Sequence, residues 1–256
     1  MINVYCLDIS QISDEHYKTF YAAASGERQK KADRCRFPAD AKRCILADIL
    51  LRYGAFHFQE KVSYFMLKEN LLDAKMQNEK FQNTGTEEMN CSKKILELQI
   101  AQGPNGKPYV ENLDGFHYNL SHSGDWVVLA WGDSEVGVDG EQLRESANLE
   151  RITRRFFTEE ERTYIFAPVE EQERNRRFTK IWTCKESYVK YLGTGLAKSL
   201  ESFSVDGEHD RVRLVDEEPL MLKSWQLGEK YFLSLCCGQD EVLLKELFWK
   251  ELLNFL

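Results

Sequence analysis

Six consecutive apolar residues, Trp126 to Trp131, stand near the middle of the chain, followed by Gly132-Asp133-Ser134 and then by Glu135 to Glu141. A run of about six residues is too short for a self-sustaining helix and has the usual length of a strand. In the second segment the two-residue period puts Val136 and Val138 on one face and Asp139 and Glu141 on the other. Gly132-Asp133-Ser134 between them has hairpin chemistry, so a β-hairpin is expected here.

The flanking patterns alternate between the two periods. Ile2 to Ile9 reads as a strand, and Ser13 caps a helix reaching Ala23. After Pro38, Ile45, Leu46, Ile49, Leu50 and Tyr53 recur at helical spacing and predict a helix ending near Tyr53 or Phe58. Residues 66–94 are poor in large apolar side chains beyond Met76 and predict a mobile insertion. Helices are expected at 147–156, 158–166 and 170–191, and short strands over most of 203–237. Val242 to Leu256 fits either an amphipathic helix or a strand followed by one turn. An acid-terminated strand, a basic-aromatic step (Arg36-Phe37, Arg155-Phe156) and a long helix occur twice in this order. That repetition suggests two related α+β halves facing each other across a cleft.

Charge narrows the function. The chain of 256 residues carries a net charge of -8, which argues against broad binding to nucleic acid or to an anionic membrane. Against that background Glu27 to Cys44 holds seven cations and three anions, a local +4 suited to a confined polyanion. The first residues have neither a basic region nor a small-residue cleavage site, and no apolar run is long enough to span a membrane, so a cytoplasmic protein is expected. Seven cysteines with no Cys-x-x-Cys pair predict reduced thiols in the core rather than disulfides or structural zinc.

Three constellations could carry chemistry. Asp139 and Glu141 suit a hard cation such as Mg²⁺, which takes one or two carboxylates and fills its other positions with water and phosphate oxygens; taken alone, such a pair is more commonly a solvated strand end. Trp182, Glu186 and Lys190 share one helical stripe, which without other context is better explained by an exposed Glu186–Lys190 ion pair. Ser121-His122-Ser123 cannot be a nucleophile and base, because neighbours in an extended chain point in opposite directions. With Gly124 it is expected to form a compact anion-binding turn. Gly103-Pro104-Asn105-Gly106-Lys107-Pro108 lacks the spacing of a phosphate loop.

Taken in order, Glu27-Arg28-Gln29-Lys30-Lys31, Arg36-Phe37, Gly106-Lys107-Pro108, Asn119 to Gly124, Gly137 to Glu141, Arg155 to Glu160, Trp182 to Lys190 and Gly193-Thr194-Gly195-Leu196 resemble the long, surfactin-synthetase-activating (Sfp) type of 4'-phosphopantetheinyl transferase. The resemblance implies an α+β pseudo-dimer of two halves, 1–134 and 135–256, each a small antiparallel sheet packed with helices. It implies transfer of the phosphopantetheine arm of coenzyme A to a serine of an apo acyl, peptidyl or aryl carrier protein by a monomer. Asp139, Glu141 and Glu186 would hold Mg²⁺, with Glu186 also the general base and Lys190 the partner of the departing phosphate. His122, Ser121, Lys107 and Pro108 would line the coenzyme A site, and Arg28, Lys31 and Arg43 would receive the ribose 3'-phosphate. Trp182 would fix the angle of Glu186. Gly140 departs from the Ile or Leu usual between the strand acids, and a glycine loosens a strand by about 0.5 to 1 kcal/mol; Arg28 stands where Lys is more familiar. Two other readings share the cleft: a non-catalytic coenzyme A or carrier adaptor, and a Mg²⁺-dependent phosphodiesterase acting on holo carrier protein.

Overall fold

The computed structural model describes residues 1–76, 97–143, 148–208, 211–213 and 220–256. Its strands are β1 (Ile2–Asp8), β2 (Ile100–Gln102), β3 (Pro108–Val110), β4 (His117–Ser123), β5 (Trp126–Gly132), β6 (Val136–Gln142), β7 (Ser204–Asp206), β8 (Arg211–Arg213), β9 (Met221–Leu227), β10 (Tyr231–Cys237) and β11 (Val242–Leu247). Its helices are α1 (Asp14–Ala23), α2 (Gly26–Asp33), α3 (Pro38–Met76), α4 (Leu149–Phe156), α5 (Glu159–Phe166), α6 (Glu171–Leu192) and α7 (Trp249–Phe255). Two sheets organise them, one ordered β11-β1-β5-β4 and the other β6-β10-β9.

The expected hairpin does not form. β5 and β6 lie in different sheets, so Gly132 to Glu135 carries the chain from one sheet to the other. The physical reason lies in the pleat. Val128 and Ala130 on β5 and Val136 and Val138 on β6 enter one buried cluster with Ile2, Val4, Cys6, Leu233 and Leu235, and this apolar layer separates the two sheets. Helices cover the outer faces: α3 and α7 contribute Ile45, Leu50 and Leu252 to the core over the first sheet, and α6 contributes Ile181, Tyr188 and Val189 to the core over the second. The α+β class with small sheets against helices is therefore observed, with one departure: β1 pairs β11 in parallel. The C-terminal strand and α7 thereby join the sheet and core built by β1, β5 and α3.

Helix α3 runs past its expected end to Met76, taking in residues 66–76 of the expected insertion; residues 77–94 lie outside the described residues. Ser13 caps α1 as expected, and Ser25 caps α2 inside the basic segment by accepting from the Arg28 amide. The C-terminal segment resolves into β11 followed by α7. Among the described residues Cys6, Cys35, Cys44, Cys184, Cys236 and Cys237 are free thiols, and Cys91 lies outside them.

Two devices fix α6 against the second sheet. A β-carbon at Gly137 would lie 2.1 Å from the Ser187 carbonyl oxygen and 2.2 Å from the Tyr191 nitrogen, so helix backbone rests directly on the strand. Lys185, with no exposed side-chain surface, donates to Glu161 Oε1 at 2.6 Å and to the Phe203 carbonyl at 2.7 Å, while Val205 N–H donates to the same Glu161 oxygen at 2.8 Å. Every charge in that pair is thus hydrogen-bonded, the condition under which a buried ion pair is tolerated. Gly140 differs from Gly137: a β-carbon there would find only ordinary contacts, the nearest 3.6 Å away. Gly137→Ala is accordingly expected to cost about 3 kcal/mol or more through overpacking, and Gly140→Ala to raise stability by about 0.5 kcal/mol through lost chain entropy, both read from chemical denaturation midpoints. Equal effects of the two substitutions would contradict the strand-on-helix contact.

Candidate active site

The alternation of β6 decides which side chains meet. Gly137, Asp139 and Glu141 share the face turned to α6, and there Lys190 donates to Asp139 Oδ1 at 2.7 Å and to the Val138 carbonyl at 3.1 Å. The β4 register places Asn119, Ser121 and Ser123 opposite Ala130, Val128 and Trp126, hence toward the second sheet. Their side chains satisfy the outer edge of β6: Val138 N–H donates to Asn119 Oδ1 at 3.0 Å, Gly140 N–H to Ser121 Oγ at 3.1 Å and Gln142 N–H to Ser123 Oγ at 3.1 Å. The serine hydroxyls in turn donate to carboxylates, Ser121 to Asp139 Oδ1 at 3.0 Å and Ser123 to Glu141 Oε2 at 2.8 Å.

Ser121 to Ser123 is therefore strand, not the expected anion-binding turn. His122 points away from the serines, to the face that carries the basic segment. It is exposed, yet enough protein surrounds the ring that desolvation first, then the Arg43 charge, and more weakly Lys190 and Lys31, hold its pKa below the ordinary histidine value. The basic residues of the segment differ in what holds them. Arg43 is paired with Asp40 and donates to the Gly124 carbonyl, Arg28 lies 3.8 Å from Asp48, and Lys31 is exposed.

Asp139 is only 5% exposed, and its Oδ2 is buried with no hydrogen-bond partner. The Glu186 carboxyl is held above the usual carboxylate range chiefly by burial, then by Asp139 and Glu141, against the opposing Lys190 charge. Among the described residues no three such groups are gathered tightly enough to hold a metal ion by themselves. The arrangement nonetheless suits Mg²⁺, which needs one or two carboxylates and completes its shell with water and phosphate. An orphaned buried carboxylate oxygen is the feature a cation would satisfy.

Glu186 and Lys190 line a cavity of about 350 Å³ with Pro108, Leu120, Val189 and Leu200 as apolar walls and Lys198 at its border. Lys107 also borders it, but its ammonium is spent on protein acceptors: Glu135 Oε2 at 2.6 Å, the Tyr191 carbonyl at 2.9 Å and the Val136 carbonyl at 3.2 Å. It thus staples the loop before β3 to the C-terminus of α6. Trp182 stacks in a cluster with Phe157 and Phe178 and meets Phe156 edge-on, one and two turns from Glu186 and Lys190.

The second half of this site lies inside a known pattern: the 4'-phosphopantetheinyl transferase superfamily matches residues 135–241. The 4'-phosphopantetheinyl transferase psf-1 of Bacillus pumilus is 31% identical over 217 residues, 83% of this chain and 78% of the relative. The chain belongs to the 4'-phosphopantetheinyl transferase superfamily. A second 4'-phosphopantetheinyl transferase, from Bacillus subtilis, is 30% identical over 224 residues, covering 86% and 84% of the two chains, and 4'-phosphopantetheinyl transferase Sfp of Bacillus subtilis (strain 168) is 26% identical over 234 residues, covering 90% and 89%. The superfamily match takes in Asp139, Glu141, Glu186 and Lys190, while Arg28, Lys31, Arg43, Lys107, Pro108, Ser121 and His122 precede it.

Sequence reasoning about this superfamily member missed Asn119 and Ser123 as strand-edge acceptors, the Glu161–Lys185 pair, and the staple made by Lys107. The alternation Asn119-x-Ser121-x-Ser123 was the available signal for the first. The staple yields a pH test. Burial alone would raise the Glu135 pKa, but the hydrogen bond and charge of Lys107, helped by His117, hold it below the usual carboxylate value. Its contribution is therefore present above the unfolded value, near about 4.3, and lost as pH falls through the lower folded value. Glu135→Gln should be less stable than the parent by under about 1 kcal/mol at neutral pH, the half-exposed pair being screened. That difference should narrow steadily as a denaturation series is taken to pH values below the ordinary carboxylate range. A difference that grows on acidification would contradict the assignment.

Proposed function

We propose that this chain transfers the 4'-phosphopantetheine arm of coenzyme A, with Mg²⁺ bound, to a serine hydroxyl of an apo acyl, peptidyl or aryl carrier protein and releases adenosine 3',5'-bisphosphate. The observation that carries the reading is the buried, unpartnered Asp139 Oδ2 beside Lys190 and Glu186 at a largely apolar cavity. Asp139, with Glu141 and Glu186, would hold the cation, which when bound supplies positive charge against the diphosphate oxygens.

The chain's own residues then divide the work. Glu186, a half-buried carboxylate with elevated proton affinity, takes the proton of the carrier serine as its oxygen forms a bond to the phosphorus bearing pantetheine. The bond from that phosphorus to the bridging oxygen breaks, and the electron pair leaves with adenosine 3',5'-bisphosphate. Lys190 holds its ammonium at the Asp139 carboxylate and offsets the negative charge of the departing phosphate. The apolar walls from Pro108, Leu120, Val189 and Leu200 suit the uncharged pantetheine arm and exclude water that would compete with the serine. His122, Lys31, Arg28 and Arg43, on the other face of β4, meet the ribose 3'-phosphate; a histidine with a lowered pKa serves there as a neutral hydrogen-bonding group. The meeting of Asp139, Ser121 and Lys190 within one chain supports a monomer as the working unit.

Incubation with coenzyme A, Mg²⁺ and an apo carrier should add one phosphopantetheine to the carrier's mass. Asp139→Ala should reduce the rate by about a thousandfold and Lys190→Met by about a hundredfold. Parental rates in Asp139→Ala would refute the metal assignment. No mass gain on several carriers, with coenzyme A still bound, would select the adaptor, and loss of the arm from a holo carrier would select the phosphodiesterase.

A further inference from the structure

Ser121 and Ser123 repeat one arrangement a single pleat apart. Each accepts from the amide one residue after an acid, Gly140 and Gln142 respectively, and each donates to that acid's carboxylate, Asp139 and Glu141. Both serines are buried, 6% and 8% exposed. A serine hydroxyl has one proton to give, and in each case it goes to the carboxylate. Neither hydroxyl has a donor left for a phosphate oxygen, which accepts and cannot donate when ionised. Lys190 adds a further donor to Ser121 Oγ at 3.3 Å, filling the remaining lone pair.

Building on the transferase reading above, we infer that Ser121 and Ser123 form a paired clamp that pre-orients the Asp139 and Glu141 carboxylates for the divalent cation, and that they are positioning residues rather than phosphate ligands. Ser121 and Lys190 both hold Oδ1, which orients the Asp139 carboxylate, and Oδ2 is presented unpartnered. Partners of this kind set ligand orientation and typically weigh about 10- to 100-fold in metal affinity. Asn119 provides the internal comparison. It lies in the same row and caps the same strand edge at Val138, but the residue preceding Val138 is Gly137, so it has no carboxylate to hold.

Binding of Mn²⁺ to the full chain, followed by electron paramagnetic resonance of the free ion, tests the clamp without turnover. Ser121→Ala and Ser123→Ala should each weaken Mn²⁺ binding by about tenfold. Asn119→Ala, which loses a comparable edge hydrogen bond, should stay within about twofold of the parent. In the carrier assay the two serine variants should need about tenfold more Mg²⁺ for half-maximal rate, with KM for coenzyme A within about twofold. Ser123→Thr retains the hydroxyl and should recover the Mn²⁺ affinity, which separates clamp loss from misfolding. Unchanged Mn²⁺ binding in both alanine variants, with weakened coenzyme A binding in the absence of metal, would overturn the clamp and restore the serines as phosphate ligands while leaving the transferase reading intact. Failure of the parent chain to bind Mn²⁺ with or without coenzyme A would overturn both.

Discussion

The outer edge of β6 presents amides that no strand pairs, and side chains of β4 supply their acceptors. Much of the molecule follows from that substitution. A continued ladder would have extended one sheet; side-chain acceptors instead let β6 meet β4 while the two sheets turn their apolar faces together. Unpaired buried amides each carry a desolvation cost of about 1 to 3 kcal/mol, so the edge could not be buried without them. The cleft exists because two sheets are joined here by hydroxyls and an amide rather than by backbone.

The same seam explains how acids come to be buried in a site that needs charge. Asp139 is enclosed by β4, β6 and α6, and its burial is sustained by Ser121 on one side and Lys190 on the other. Helix α6 must then be held rigidly, because the positions of Glu186 and Lys190 are set by its placement. Gly137 lets its backbone descend onto the strand, and the buried Lys185–Glu161 pair locks its middle to α5 and to the segment at Phe203. Lys107 secures its end. Three contacts thus act on one helix from three directions.

Much of this was legible in the residues. Period-two alternation placed Asp139 and Glu141 on one face of a strand, and the four-residue step placed Glu186 and Lys190 on one stripe; both survive in the structure. The helices from 149 to 192 were readable because apolar spacing is a local property, helped on α5 by the Thr158 capping box and at the end of α6 by the left-handed Gly193. What failed was what depends on partners distant in the chain. Gly132-Asp133-Ser134 has the composition of a hairpin, but the turn it makes is chosen by which core each valine can enter, and that is set by β1 and β10. The pairing of β11 with β1 joins the two ends of the chain and leaves no trace in either segment alone. Ser121 was legible as a polar residue in a strand, but its partner lies 18 residues away on another sheet, so its role could not be read from its neighbours. Lys107 drew notice for its charge, whereas its ammonium is engaged in a staple.

The central claim is that the β4–β6 seam builds a cation site at Asp139 from groups on both sheets. A crystal structure of the chain with coenzyme A and Mn²⁺, with anomalous diffraction recorded at the manganese edge, tests it most directly. The account predicts an anomalous peak at Asp139 Oδ2 with the Ser121 and Ser123 hydrogen bonds to the carboxylates retained. A manganese peak remote from Asp139, or serine hydroxyls turned from the carboxylates onto the coenzyme A phosphates, would contradict it.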